Sequence, residues 1–163
     1  MEYTVQELKE KIKNFVTESA RFRFAGHYLN KAGEKFYENP TRENAENFKK
    51  IKELNSNLFI KALDEAKTNP LIKKVNSVLE AGGGRKLNIL PREDHFERAR
   101  VLWASKKEEV RKQAAREFEL ASENPKQGWS KKETLLLAAE AYGRLEMFED
   151  ELRLHEIIKK ISE

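Results

Sequence analysis

Apolar residues return at intervals of three and four along nearly the whole chain, and this feature excludes most folds. Val5, Leu8, Ile12, Phe15, Val16 and Ser19 keep that spacing, as do Ala45, Phe48, Ile51, Leu58, Ala62 and Ala66. It lays one stripe along a helix, whereas a half-buried strand alternates by twos. Gly and Pro number only seven and four among 163 residues, and charged residues make up 37%. Such a composition suits long helices laced with solvent-facing charge. The expected fold is all-α, with antiparallel hairpins of about six or seven helices joined by short connections.

Punctuation sets the provisional boundaries. Thr4 with Glu7 has the form of a capping box opening the first helix near Val5. The segment ARFRFAGHYLNKAGEKFYENP alternates Phe22 and Phe24 with Arg21 and Arg23, then returns to helical spacing at Tyr28, Leu29, Ala32 and Phe36. A kink or short break is expected near Gly26. Asn39-Pro40, Asn69-Pro70 and Asn124-Pro125 each end a segment, because the residue before proline is pushed out of the α region. Asn69 also suits an N-cap and Pro70 a first helical position. Ser105 with Glu108 and Ser130 with Glu133 are two further capping boxes, the first predicting a break beside Trp103. The expected organisation is an N-terminal half over 1–81, a glycine-rich basic loop over 82–91 and a C-terminal half over 92–163, all in one compact unit, with Gly82 stopping the helix that precedes the loop.

No cysteine is present, which removes disulfides, thiolate metal sites and a cysteine nucleophile. MEYTVQELKEKIKNFV carries charge throughout and is neither a secretory signal nor a membrane span. The expectation is a cytoplasmic protein with no membrane contact. Abundant Glu and Lys with few Gln give it a thermophile-like bias. The net charge of +4 is uneven: residues 1–116 hold 25 Lys/Arg against 17 Asp/Glu, and 117–163 hold 7 against 11. Acidic residues are interleaved nearly everywhere, as on a solvated helical face.

GGGRKLNILPRED, from Gly82, fails as a phosphate loop. Its glycines follow a helix instead of a strand, and Arg85-Lys86 is followed by Leu87 instead of Ser or Thr. It reads as a connector docked by Leu87, Ile89 and Leu90, with Arg85, Lys86 and Arg92 as its basic side chains. His27, His95 and His155 show no metal-ligand spacing, so no metal or other cofactor is expected. Glu108-Glu109 and Glu149-Asp150-Glu151 read as helix-start charges and not as acid–base partners. Trp103 and Trp129 each precede a capping box, where a large aromatic packs against the helix start.

LAAEAYGRLEMFEDELRLHEIIKKI resembles one tetratricopeptide unit. Leu135 stands where that family often has Trp, Ala138 and Ala139 where it has Leu and Gly, and Tyr142, Leu145 and Phe148 in their usual places. Glu151 replaces a small alanine and His155 an aromatic. The resemblance implies a helix pair that holds a peptide or partner protein on a helical surface. Arg21 and His27 are similar in spacing to the Arg-x(4-6)-His motif of HEPN-type ribonucleases, which implies phosphate stabilisation by arginine and proton movement by histidine.

The expected function is non-enzymatic: an interaction or adaptor module that binds another protein, with the module itself a candidate homo-oligomer. Arg85, Lys86 and Arg92 are its expected contact residues, with Trp103 and Tyr142 as aromatic anchors. The alternative is a nucleic-acid-binding accessory protein using basic residues within 1–116, whose binding would weaken with salt. The third reading is the HEPN-like ribonuclease.

Overall fold

A computed structural model describes residues 3–81 and 87–162, and the contacts divide the chain into two compact units, residues 1–68 and 69–163. Among the described residues there are eight α-helices, one 3₁₀ turn and no strand. The protein is all-α, as the spacing predicts. The division falls at Asn69 and not near residue 81, because the helix after Asn69 packs on helices further along the chain.

The first unit holds α1 (Val5–Ile12), α2 (Glu18–Glu38) and α3 (Arg42–Thr68). Helices α2 and α3 form an antiparallel hairpin. Glu65 contacts Glu18 at one end, Phe22 meets Phe59 about one turn further in, and Phe48 meets Phe36 towards the other end. Leu8 and Ile12 of α1 join Ala25, Tyr28, Ala32, Ile51 and Leu58 in one core. The Asn47 side chain ties α1 to α3, accepting from Val5 N–H (2.8 Å) and donating to the Tyr3 carbonyl (2.6 Å).

Two expectations fail in this unit. The first stripe was expected to run on to Ser19, but α1 stops at Ile12 and the next helix begins at Glu18. Thr17 caps α2 by accepting from Ala20 N–H, while the Glu65 carboxylate accepts from Glu18 and Ser19 N–H at 2.9 and 3.3 Å. A carboxylate at a helix N-terminus satisfies orphan donors and opposes the positive end of the dipole, so a residue 47 positions away helps place the break. The short break offered near Gly26 is absent: α2 passes through it as one helix. A Cβ at Gly33 would come within 3.3 Å of the Phe48 ring, whereas at Gly26 it would meet nothing nearer than 3.9 Å. Close helix approach therefore uses Gly33.

The second unit contains α4 (Pro70–Glu80), a 3₁₀ turn (Leu87–Ile89), α5 (His95–Trp103), α6 (Glu108–Ala121), α7 (Lys131–Arg144) and α8 (Phe148–Ser162). Asn69 caps α4 with Pro70 in its first turn, as predicted, and Ser130 with Glu133 closes a complete capping box. Helix α4 ends at Glu80; the stop expected at Gly82 lies outside the described residues. Thr4 accepts from Glu7 N–H, but Glu7 turns its carboxylate toward Tyr28 and Lys11. The break after Trp103 is present, but Ser105 does not cap α6: its hydroxyl accepts from Lys107 N–H, two residues early. Arg111 organises this corner instead, donating Nε–H to the Trp103 and Ser105 carbonyls (3.2 and 2.9 Å) with its guanidinium over the Trp103 ring. Arg21 does the same in the first unit, donating to the carbonyls of Ile12 and Phe15. Both arginines sit four residues into the helix after the corner they close.

Helix α7 is the centre of the second unit, packed by α4, α6 and α8, and every residue from Thr134 to Gly143 is buried. Apart from Glu140, which pairs with Arg144, that stretch is mostly apolar or small, and a helix of that kind belongs inside a core. Its end is a Schellman motif: Met147 N–H donates to the Tyr142 carbonyl and Glu146 N–H to that of Gly143. Glu146 occupies the left-handed position, with φ of 59°. An L side chain there costs about 1 kcal/mol or more, so Glu146→Gly should raise stability by about 1 kcal/mol; an unchanged or lower midpoint in denaturant would refute this.

Candidate functional site

Of the five expected contact residues, Arg85 and Lys86 lie outside the described residues, and Arg92 is exposed. The two aromatic anchors are corrected by burial, since Trp103 and Tyr142 are each 3% accessible. Trp103 donates Nε1–H to the Leu79 carbonyl (2.9 Å), which pins α5 to the end of α4. Tyr142 donates its hydroxyl to Glu119 Oε1 (2.8 Å). An amphipathic aromatic whose polar end is bonded inside the fold is structural. The expected docking of the connector is also partial: Leu87 and Leu90 are half-buried, while Ile89 is 68% exposed.

The Glu119 carboxylate gathers α6, α7 and α8, taking a bidentate pair from Arg153 (2.8 Å each) together with the Tyr142 hydroxyl. The Arg153 hydrogen bonds hold it below the usual carboxylate range against the opposing effect of burial, while burial and the Glu119 bond push the Tyr142 hydroxyl up. The sign follows from linkage. A depressed carboxyl contributes stability above its unfolded value, and this is lost as pH falls through the folded value. Glu119→Gln should therefore destabilise at neutral pH and converge with the native chain in acid. Tyr142→Phe should cost about 1.5–3 kcal/mol, the worth of one bond to a charged acceptor. Denaturant titrations of both variants at neutral and acidic pH test this, and a pH-independent difference for Glu119→Gln would refute it.

Titratable side chains also meet beside a cleft of about 240 Å³ lined by Asp94, His95, Phe96, Leu120 and Lys126. His95 Nδ1 is 2.5 Å from Glu117 Oε2. The neighbouring acids are engaged in holding the fold: Asp94 caps α5 through Glu97 N–H, and Glu97 pairs with Lys126 and Arg100. His155 and Glu151, at 1% and 0% accessibility and 4.0 Å apart, are inside the core. No group of three metal-ligating side chains is found among the described residues.

Arg21 and His27 do not face a common cleft on their helix. Six residues at about 100° each leave them roughly 120° apart around α2. The Arg21 guanidinium is bonded to two carbonyls and to Glu18. Acidic and basic residues are mixed within each unit: residues 1–68 carry 13 Lys/Arg against 11 Asp/Glu, and 69–163 carry 19 against 17. The larger asymmetry about residue 116 therefore does not follow the structural division.

Exposed apolar side chains cluster on α3, where Phe59, Ile60 and Leu63 are 46%, 65% and 46% exposed. The helix buries Ile51 and Leu58 against its own unit, and the three consecutive apolar residues Leu58, Phe59 and Ile60 span about 200° of its circumference. One core-facing stripe cannot hold that arc. The composition of this segment was the signal that a search for a single face passes over. No helix among the described residues is long and apolar enough to cross a membrane. No family model, curated protein or solved structure matches the chain.

Proposed function

We propose that the chain is a non-enzymatic interaction module whose contact surface is the exposed face of α3. The observation that carries this reading is the exposure of Phe59, Ile60 and Leu63 within two turns of one helix. Clustered apolar side chains on a solvent-facing helix favour a partner that removes them from water, and one helical face laid against another is a recurring mode of recognition. The tetratricopeptide-like C-terminal pair supports the same class by analogy. Because α7 is buried on all sides, the contact surface belongs on another helix.

A photo-crosslinking residue placed at Ile60, with exposed Glu46 of the same helix as the control position, tests the reading in cells. Crosslinks to protein at 60 that are absent at 46, and abolished by Leu63→Asp, are the expected result. Equal labelling at both positions would overturn it.

A further inference from the structure

We draw no further inference here: the strongest candidate, the apolar patch that Phe59, Ile60 and Leu63 leave exposed on α3, is the contact surface already described, and nothing in the structure shows what covers it.

Discussion

Replacing Trp103 with alanine should lower the stability of the chain by about 3–5 kcal/mol, the usual loss on truncating a buried large aromatic. Three effects combine at this residue. Its ring is 3% accessible, so its area is lost from the core. Its indole N–H satisfies the Leu79 carbonyl, one of the last carbonyls of α4, which has no partner further along its own helix. Its face carries the Arg111 guanidinium at 4.7 Å, and Arg111 in turn closes the corner between α5 and α6. Trp103→Phe separates these contributions. It keeps most of the apolar area and the face under Arg111 but leaves the carbonyl without its donor, so about 1–3 kcal/mol should be lost. Equilibrium denaturation followed by circular dichroism gives both values. Hydrogen exchange in the last turn of α4 should rise in both variants, and an alanine variant within about 1 kcal/mol of the native chain would show that the residue is not the anchor described.

Glu65→Ala should cost about 2–3 kcal/mol, because two charge-assisted bonds to consecutive amides are removed at once and both donors sit at the start of α2. Glu65→Gln keeps one acceptor oxygen but not the charge, so its loss should be about half as large. Exchange at the Glu18 and Ser19 amides gives the local signature. Faster exchange there, with amides in α7 unchanged, is the expected pattern. If Glu65→Ala leaves those two amides as protected as before, the carboxylate is not what holds the start of α2.

Much of the architecture is readable from local chemistry. Apolar spacing makes the chain helical, and the Asn-Pro pairs end helices because proline cannot continue the pattern across the preceding residue. Asn69 and Ser130 cap through side chains two or three residues from the amides they satisfy, which is why both are visible in the sequence. The same local logic misplaces Ser105 and allows a break at Gly26. At the first, Arg111 reaches back to the carbonyls of the corner; at the second, packing against α3 supports an unbroken helix.

The candidate site divides in the same way. Trp103 and Tyr142 are large amphipathic residues of a type found both in interfaces and in cores, and their own sequence positions do not distinguish the two. The Leu79 carbonyl and the Glu119 carboxylate, 24 and 23 residues away, decide it. Phe59, Ile60 and Leu63 were visible in the sequence as apolar residues of α3, but they lie beside the stripe containing Ile51 and Leu58, and a periodic pattern alone does not say which of them meet the core. The sequence by itself determined that this protein is helical and where several of its helices start and stop, because those outcomes depend on contacts within a turn or two. Only the tertiary structure decided which aromatics are buried, where α1 gives way to α2 and which face of α3 is left to solvent, because each depends on groups brought together from distant parts of the chain.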